Sequence, residues 1–299
     1  MKIFITGANG LLGQHLVKQL LDKKYTVIAT AQGKSRLPFQ DNEQYQYHQL
    51  DITDGPRVNH LVLQSRPDAV IHAAAMTHVD KCELNKIDCW NVNVTATRFL
   101  LDACKETGSR FIYLSTDFVF DGQDGPYAEE AEPNPVNYYG SSKWGAEKAV
   151  AESGLPWAIV RTVLVTGNPS ADARLNIITW LKDKLEKGEK VKMVDDQYRT
   201  PTFVNDLAAG IILVLEKNAE GIFHIAGKDM LTPYAMAIET ARLLKLDESL
   251  IERSDLSALA QPAPRPSRTG FIINKAQKEL GYQPVSFKES LEKMFNIER

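Results

Sequence analysis

The chain has 299 residues, 43% of them hydrophobic, which is enough to bury a large core in one large domain or two smaller ones. Its 35 basic and 38 acidic residues give a formal net charge of −3, so the overall charge does not point to nucleic acid or an acidic membrane surface as a partner. No stretch reaches the roughly 18 consecutive apolar residues of a membrane span, and a β-rich run beginning at Lys2 leaves no room for a cleaved leader. We therefore expect a soluble, cytoplasmic protein.

The three cysteines, Cys82, Cys89 and Cys104, are an odd number and lack a Cys-x-x-Cys spacing. This pattern favours reduced thiols over a disulfide framework. A metal site made of His78, Cys82 and Cys89 is conceivable, but its spacing matches no standard ligand pattern. The sequence therefore predicts no metal.

The chain begins with a predicted strand, a glycine-rich loop and a helix. Lys2–Thr6 is β-rich, and Leu11–Leu21 repeats its apolar residues at helical spacing. The Gly-x-x-Gly-x-x-Gly loop between them permits a tight turn, close approach of backbone to a pyrophosphate, and close packing of helix on strand. A simple strand-to-helix turn is the alternative. We predict that a dinucleotide contacts Gly7, Asn9, Gly10, Leu11, Leu12 and Gly13.

The end of the second predicted strand, Tyr25–Ala29, indicates which dinucleotide binds. NAD sites place a carboxylate there for the adenosine ribose, but Thr30–Arg36 contains none. Lys34 and Arg36, with Ser35, suit a 2′-phosphate, so we predict NADP(H), with NAD(H) as the alternative. The competing interpretation is that the two cations merely solubilise a loop.

Further apolar runs alternate with helical stretches along the first half of the chain. The clearest helix is Trp90–Thr107, for which Gly108 is a plausible stop. Such alternation predicts an α/β fold, a Rossmann-type doubly wound parallel sheet with helices on both faces. The remaining predicted strands of this part are Tyr45–Leu50, Ala69–Ala73, Phe111–Ser115 and Trp157–Arg161.

Beyond Thr162 the pattern loosens, and we predict a smaller C-terminal α/β substrate domain. Val204–Leu215 reads as a helix returning to the nucleotide domain, capped by Thr202 or Asn205. The predicted division is residues 1–162 plus about 202–218 for the NADP-binding domain, and about 163–201 and 219–299 for the substrate domain. Its predicted elements are Ile177–Leu185, Lys190–Val194, Ile222–Ala226, a proline-rich connecting loop over Leu256–Arg268, and helices over Asn274–Leu280 and Ser286–Met294.

Tyr139 and Lys143 are four residues apart in a stretch, Pro135–Val150, that is expected to be helical. Their side chains would then lie on one face, about one turn apart. A nearby ammonium can lower the pKa of a phenol so that it exchanges a proton near neutral pH. The alternative is an ordinary surface helix.

Several ordered motifs together resemble one family. They are the glycine loop, Ala73–Glu83, Leu114–Gly122, Tyr139–Lys143 and Arg199–Ala208, and they cover almost the whole chain. The chain resembles the extended short-chain dehydrogenase/reductases, and among them the dTDP-4-dehydrorhamnose reductases. The resemblance implies NADPH-dependent reduction of a keto group on a nucleotide sugar. It makes Thr116, Tyr139 and Lys143 the catalytic residues, although Thr116 could instead be a strand-end hydroxyl that satisfies backbone.

The resemblance also implies weaker assignments. The further cofactor contacts are Asp51, Ile52, Ala73, Ala74, Ala75, Tyr139 and Lys143. The substrate contacts are Thr77, Val79, Asp117, Leu164, Arg199 and Thr202. For Asp51 a helix cap is an equal alternative, for the alanines tight packing, and for Arg199 a surface salt bridge. Asn93 resembles a structural asparagine.

One departure from the family bears on the substrate. The rhamnose-forming reductases usually carry Arg-Thr-Ser-Trp-Val-Tyr-Gly, whereas this chain has Leu164 at the tryptophan position and so lacks its flat stacking surface and N–H donor. Two other classes stay open. One is an NAD-dependent sugar-nucleotide epimerase or dehydratase, which the lack of a carboxylate near Ala31 disfavours. The other is a non-catalytic regulatory subunit of a methionine adenosyltransferase. The sequence leaves a homodimer open.

Overall fold

The structure, a computed structural model, describes residues 1–168, 175–258 and 261–297. The strands are β1 (Lys2–Thr6), β2 (Thr26–Ala31), β3 (Tyr45–Gln49), β4 (Ala69–His72), β5 (Arg110–Thr116), β6 (Trp157–Thr162), β7 (Val165–Thr166), β8 (Val191–Val194), β9 (Thr202–Phe203), β10 (Gly221–His224) and β11 (Ile251–Ser254). The helices are α1 (Leu11–Asp22), α2 (Gly55–Ser65), α3 (Val79–Leu84), α4 (Lys86–Trp90), α5 (Ala96–Thr107), α6 (Tyr138–Ala151), α7 (Ile177–Glu186), α8 (Val204–Glu216), α9 (Pro233–Leu244) and α10 (Phe287–Phe295). None of these helices is both long and apolar enough to cross a membrane.

Seven strands form one sheet in the order β10-β6-β5-β4-β1-β2-β3, and each neighbouring pair is parallel. The predicted Rossmann-type sheet is confirmed. From β1, the sheet grows through β2 to β3 on one side and through β4 on the other. The carboxyl ends of β1 and β4 therefore flank the point where the winding reverses, which is where sheets of this kind bind ligands.

Both faces of the sheet are covered. On β1, Ile3 and Ile5 pack with Leu16 of α1 and Ile211 of α8, whereas Phe4 belongs to the core on the opposite face with residues of α2 and α5. Successive side chains of a strand point to opposite faces, so a strand covered on both sides is apolar throughout. This explains why β1, β4 and β5 read as unbroken apolar runs.

A separate small core lies among α7, α9 and the parallel pair of β8 and β11, with Leu181, Met193, Ala237 and Ile251 buried in it. The strand β10 does not belong to this part. It pairs with β6 at the edge of the main sheet, although the predicted boundary at about residue 219 placed it in the substrate domain. A short apolar run does not reveal its pairing partner, which is why the sequence misplaced it. The rest of the predicted domain division stays a prediction.

The predicted helix Trp90–Thr107 is not one continuous α-helix. The segment consists of the end of α4, a π-helical turn over Asn91–Thr95, and α5, which ends at Gly108 in the left-handed conformation with φ 69°. A π-turn adds one residue to a helical turn, and such insertions are often found at functional sites. Here it accompanies an inward-facing Asn93.

The predicted cap of α8 is wrong. Phe203 occupies the cap position and no side chain caps the helix. Thr202 instead donates its hydroxyl to the carbonyl oxygen of Val163 at 2.6 Å, and Asn205 already lies within the helix. The proline-rich stretch Leu256–Arg268 is a connection, as predicted. Apart from a 3-10 turn at its start, its described residues form no helix or regular strand.

Candidate active site

The glycine loop lies at the carboxyl end of β1 and leads into α1. Gly7 has a φ of +74°, and a Cβ there would lie 2.8 Å from the backbone nitrogen of Ala74. A Cβ on Gly13 would lie 2.3 Å from the carbonyl oxygen of Gly7. Gly10 precedes α1, whose N-terminus has no side-chain cap, and Leu11 and Leu12 form its half-buried first turn. Because Gly10 has no side chain and no side chain caps α1, the backbone N–H groups at the start of this helix are open to a pyrophosphate.

Asn9 fixes the segment that follows β2. Its side-chain nitrogen donates to the carbonyl oxygen of Lys34 at 2.9 Å and to the hydroxyl of Tyr47 at 3.1 Å. The backbone nitrogen of Arg36 donates to the side-chain oxygen of Asn9 at 3.0 Å. Lys34 and Arg36 are exposed. Asn9 thus fixes the backbone of the segment that carries these two cationic residues after β2, and two cations there suit a phosphate on the adenosine ribose.

Asp51 and Ile52 follow β3, and Asp51 is engaged locally. Its carboxylate accepts hydrogen bonds from the backbone and hydroxyl of Thr53 at 2.9 and 2.7 Å and from Gln32 at 3.0 Å. Chiefly because of the Thr53 backbone hydrogen bond, the pKa of Asp51 is lowered. The side chain that caps α2 is Asp54, so Asp51 is not the helix cap. Ile52 is buried.

The three alanines after β4, Ala73, Ala74 and Ala75, are half-buried and run beside the glycine loop. The backbone nitrogen of Ala74 donates to the hydroxyl of Thr6 at 3.1 Å. That hydroxyl also lies 2.7 Å from Nδ1 of His72. The close approach of Gly7 to the backbone of Ala73 and Ala74 brings the ends of β1 and β4 together at the glycine loop.

Tyr139 and Lys143 are buried on one face of α6, with 8% and 3% of their surface exposed. Asn137 caps this helix by accepting a hydrogen bond from the backbone nitrogen of Gly140 at 2.9 Å. The Nζ of Lys143 donates to the carbonyl oxygen of Leu114 at 2.6 Å. It also lies 4.2 Å from the centre of the Tyr113 ring. Both side chains are therefore held against the carboxyl half of β5, which ends at Thr116.

The pKa of Tyr139 is raised, not lowered as predicted. Removal from water is the largest cause, and the hydrogen bond with the Thr116 hydroxyl offsets it in part. Burial lowers the pKa of Lys143 to about 7, against the opposing charges of Glu147, Cys89 and Cys82. The prediction was wrong because it considered the effect of the Lys143 ammonium on the phenol pKa but not the effect of removing water from around the phenol. The phenol is therefore protonated at neutral pH.

Thr116 and Asp117 form a buried network at the end of β5. The Thr116 hydroxyl donates to Oδ1 of Asp117 at 3.1 Å and accepts from the backbone nitrogen of Phe118 at 3.2 Å. Oδ2 of Asp117 accepts a hydrogen bond from the hydroxyl of Thr269 and lies 3.6 Å from Nε of Arg199. Burial raises the pKa of Asp117, and the charge of Arg199 opposes this. Asp117 thus links the site to two distant segments of the chain.

Arg199 and Thr202, both predicted substrate contacts, face the interior. Arg199 is 4% exposed and donates to the carbonyl oxygens of Pro266 and Ser267 at 2.6 and 3.1 Å. It is therefore not the surface salt bridge of the alternative interpretation. Thr202 is fully buried and joins β9 to the end of β6 through Val163. In this arrangement the two residues, like Asp117, support the walls of the site.

The remaining predicted substrate contacts lie nearer the surface. Thr77 is exposed, and Val79 is half-buried at the first position of α3. Leu164 is half-buried between β6 and β7 with a φ of 34°, and its carbonyl oxygen accepts from the backbone nitrogen of Thr202 at 3.1 Å. An apolar side chain rather than a flat aromatic ring therefore stands at this turn.

Sequence reasoning missed several residues that position this site. Asn93 has the structural role that the resemblance implies, but its particular contacts were not predicted: it holds Met76 and Ser142 beside Tyr139. Glu147 and Arg161 form a buried ion pair one turn beyond Lys143. A glutamate four residues after Lys143 is a readable signal, because positions i and i+4 share a helix face. Arg161, the partner of Glu147 on β6, could not be identified from the spacing of residues in the sequence.

Cys82 and Cys89 are buried beside Tyr139 as thiols, and Cys104 is also a free, buried thiol. His78 caps α3 by accepting from the backbone nitrogen of Lys81 at 3.4 Å. Across residues 1–168, 175–258 and 261–297, no group of three or more histidine, cysteine or acidic residues is arranged to hold a metal ion.

Comparisons with known proteins place the chain among sugar-nucleotide reductases. A family model described as the RmlD substrate binding domain matches residues 1–299. The chain is 34% identical to a probable low-salt glycan biosynthesis reductase of Haloferax volcanii, covering 97% of this chain and 96% of that protein. It is 34% identical to a dTDP-4-dehydrorhamnose reductase of Streptomyces griseus, covering 94% and 88%. It is 31% identical to methionine adenosyltransferase 2 subunit beta of Bos taurus, covering 83% and 73%.

Solved structures agree with this placement. A dTDP-4-dehydrorhamnose reductase from Clostridium acetobutylicum superposes with a TM-score of 0.88 at 32% identity, covering 99% of both chains. A dTDP-4-dehydrorhamnose reductase from Bacillus anthracis, solved in complex with NADP, superposes with a TM-score of 0.85 at 27% identity, covering 99% of this chain and 98% of that one. The family model, the curated relatives and the solved structures thus bear out the resemblance carried by the sequence motifs. The chain belongs to the dTDP-4-dehydrorhamnose reductase family of extended short-chain dehydrogenase/reductases.

Proposed function

We propose that this protein reduces the 4-keto group of a nucleotide sugar with NADPH, and that it converts dTDP-4-dehydro-L-rhamnose to dTDP-L-rhamnose. The observation that carries the proposal is the clustering of Thr116, Tyr139 and Lys143 at the carboxyl end of β5 in a member of this reductase family. A hydride-transfer site needs a proton donor and a cation beside the cofactor cleft. These three residues supply both.

The chemistry follows from the residue types. When bound, NADPH supplies the hydride that adds to the carbonyl carbon. The Tyr139 phenol gives its proton to the carbonyl oxygen, which becomes a hydroxyl, and a phenol kept protonated by burial suits this role. The Thr116 hydroxyl, once its proton turns away from Asp117, would donate a hydrogen bond to the same oxygen. As an ammonium, Lys143 would hold the nicotinamide ribose and would stabilise the tyrosinate until a proton from solvent restores the phenol.

The cofactor cleft fits NADP(H) better than NAD(H). Gly7, Gly10 and Gly13 would hold the pyrophosphate, and Lys34 and Arg36 the 2′-phosphate. We expect NADPH to bind at least about tenfold more tightly than NADH, since a charge-assisted phosphate contact contributes about 1.4 kcal/mol or more. Fluorescence titration with each cofactor measures this. A tenfold preference for NADH would reverse the assignment.

The side chain at position 164 bears on which sugar binds. Leu164 offers an apolar surface but neither a stacking ring nor an N–H donor, so the sugar must be held without the indole that rhamnose-forming reductases usually have there. A 4-keto sugar related to dehydrorhamnose is therefore the alternative substrate within the same reaction.

The decisive experiment follows NADPH oxidation against a panel of nucleotide 4-keto sugars that includes dTDP-4-dehydro-L-rhamnose. Tyr139→Phe removes the proton donor and should lower kcat about 10²- to 10⁴-fold while NADPH binding stays within about threefold. The matched control is Tyr138→Phe, because Tyr138 is the half-buried neighbour on the same helix. Full turnover by Tyr139→Phe would contradict the mechanism.

The same assay separates the two other classes. Protein that retains tightly bound NAD after purification and converts a sugar without net NADPH oxidation would indicate an epimerase or dehydratase. No oxidation with any panel member, together with binding to a methionine adenosyltransferase catalytic chain, would indicate the regulatory class. The homodimer and the cytoplasmic location likewise stay proposals. Sedimentation equilibrium tests the first, and cell fractionation tests the second.

A further inference from the structure

Glu147 and Arg161 form an ion pair in the interior beside the proposed site. Arg161 donates from Nε to one carboxylate oxygen of Glu147 at 3.0 Å and from the terminal nitrogen Nη2 to the other at 2.7 Å. Glu147 is 4% exposed and Arg161 is 2% exposed. A buried pair is costly to desolvate and is often no more stable than an apolar replacement. Its presence here therefore calls for a role other than stability.

The position of the pair suggests that role. Glu147 follows Lys143 by four residues on α6, so the two side chains share one helix face. Arg161 lies on β6 opposite Ser115 of β5, next to Leu114, whose carbonyl oxygen holds the Lys143 ammonium. The pair and Lys143 thus occupy one wall of the site, formed by α6, β5 and β6.

The other groups around Lys143 carry less charge. On β4 and β5, burial lowers the pKa of His72 to about 3 and raises that of Tyr113, so both are neutral at pH 7. On α6, the raised pKa of Tyr139 keeps the phenol neutral.

On α3 and α4, the pKa of Cys82 is raised, chiefly by its hydrogen bond with Cys89, whereas that of Cys89 is lowered to about 7 by the same interaction. Asp117, after β5, is paired with Arg199. Of the groups whose ionised forms favour the ammonium form of Lys143, Glu147 contributes most, ahead of Cys89 and Cys82.

We propose that Glu147, held in place by Arg161, is a positioning residue for the reduction, because its carboxylate keeps buried Lys143 in the ammonium form. The proposal rests on the proposed function for its catalytic consequence, but not for its electrostatic one. A carboxylate fixed one turn away opposes the loss of water that drives Lys143 towards the neutral amine. Arg161 keeps the carboxylate from turning to another partner.

Glu147→Gln tests the electrostatic part directly. Protein labelled with ¹³C at the lysine ε-carbon reports the protonation of Lys143 by NMR, and Lys143→Arg assigns its signal. We expect the titration midpoint of Lys143 to fall by more than about one pH unit, which is more than tenfold in the protonation equilibrium, because the Arg161 cation is left uncompensated as well. Glu152→Gln is the matched control, since it removes a carboxylate from the exposed end of α6, and it should leave the midpoint unchanged.

Glu147→Gln leaves Arg161 buried without its carboxylate, which lowers the stability of the variant. The double variant Glu147→Leu with Arg161→Met removes both charges and keeps the volume apolar, so it should fold. In this variant, too, the Lys143 midpoint should fall by about one pH unit. A midpoint within 0.2 units of the wild-type value, as an order-of-magnitude limit of the measurement, would overturn the proposal.

Turnover provides the second readout. With saturating NADPH, the wild-type rate should decline as pH rises through the pKa of Lys143, and in the double variant this decline should occur about one pH unit lower. The variant then loses about tenfold in kcat on the alkaline side, about twofold at pH 6 and little at pH 5. A purely structural role would lower the rate equally at every pH, which would refute the proposal. A shifted midpoint with no turnover on any 4-keto sugar would refute the proposed function alone.

Discussion

At the scale of single residues, burial decides the chemistry of the proposed site. Tyr139 and Lys143 lie one turn apart, as their spacing predicts, yet burial raises the pKa of the phenol and lowers that of the ammonium to about 7. The spacing could be deduced from the sequence because it depends on helix geometry alone. The direction of the phenol shift could not, because it depends on how much water the folded chain removes.

Lys143 should therefore make the protein without cofactor less stable. Lys143→Met fills the same space without a charge, and we expect its free energy of unfolding at pH 6 to exceed that of the wild type by more than about 1 kcal/mol. Because the pKa of Lys143 is lowered from 10.5 to about 7 in the folded protein, Lys143 carries its proton in the unfolded chain but not in the folded one between about pH 7 and 10.5. The difference in free energy of unfolding between Lys143→Met and the wild type should thus be largest below pH 7 and should shrink as pH rises towards 10.5. Urea unfolding at several pH values measures it, and a difference that grows with pH would contradict this account.

At the scale of elements, the π-helical turn Asn91–Thr95 has the clearest structural role. It accompanies Asn93, whose side chain accepts from the backbone nitrogen of Met76 at 2.8 Å and donates to the hydroxyl of Ser142 at 2.9 Å. That hydroxyl donates to the carbonyl oxygen of Tyr139 at 2.7 Å. The helical pattern of this segment was predictable, but the extra residue was not, because apolar periodicity does not distinguish an α-turn from a π-turn.

Asn93→Ala should destabilise the fold by about 2–4 kcal/mol, because it leaves buried polar groups of Met76 and Ser142 without their partner. Asn91→Ala is the control, since Asn91 lies on the exposed side of the same turn and should cost less than about 0.5 kcal/mol. Chemical denaturation of both variants gives the comparison. Equal effects would show that the inward hydrogen bonds contribute little.

At the scale of the whole molecule, the proline-rich connection fastens the C-terminal third of the chain to the site. Arg265 binds Asp80 with two hydrogen bonds of 2.8 Å, across 185 residues of sequence. The Asn137 side chain, which caps α6, donates to the carbonyl oxygen of Pro264 at 2.9 Å. The prolines predicted a connection without regular structure. They did not predict these contacts, because pairs so distant in sequence leave no local pattern.

Arg265→Ala should lower the free energy of unfolding by about 1.5–3 kcal/mol at pH 7, since it removes the bidentate, charge-assisted hydrogen bonds to Asp80. Hydrogen bonding to Arg265 is the main reason the pKa of Asp80 is lowered from its ordinary value of 3.8. The contribution is therefore complete above that value and is lost as pH falls through the lowered one. Arg268→Ala, on the exposed part of the same segment, should cost less than about 1 kcal/mol. Thermal unfolding between pH 3 and 7 tests both, and a pH-independent difference would exclude Asp80 as the partner.

The contacts of the proline-rich connection also fix how many residues it can contain. Surface loops usually accept added residues, but this one makes its contacts in a fixed order. Along it, Pro264 binds Asn137, Arg265 binds Asp80 and Pro266 binds Arg199, and Thr269, the next residue after the connection, binds Asp117. One inserted residue between Pro264 and Thr269 would move the later contacts out of register with the earlier ones. Its effect would reach Thr116 through Asp117, so a change in spacing here should damage the site more than most changes of residue type.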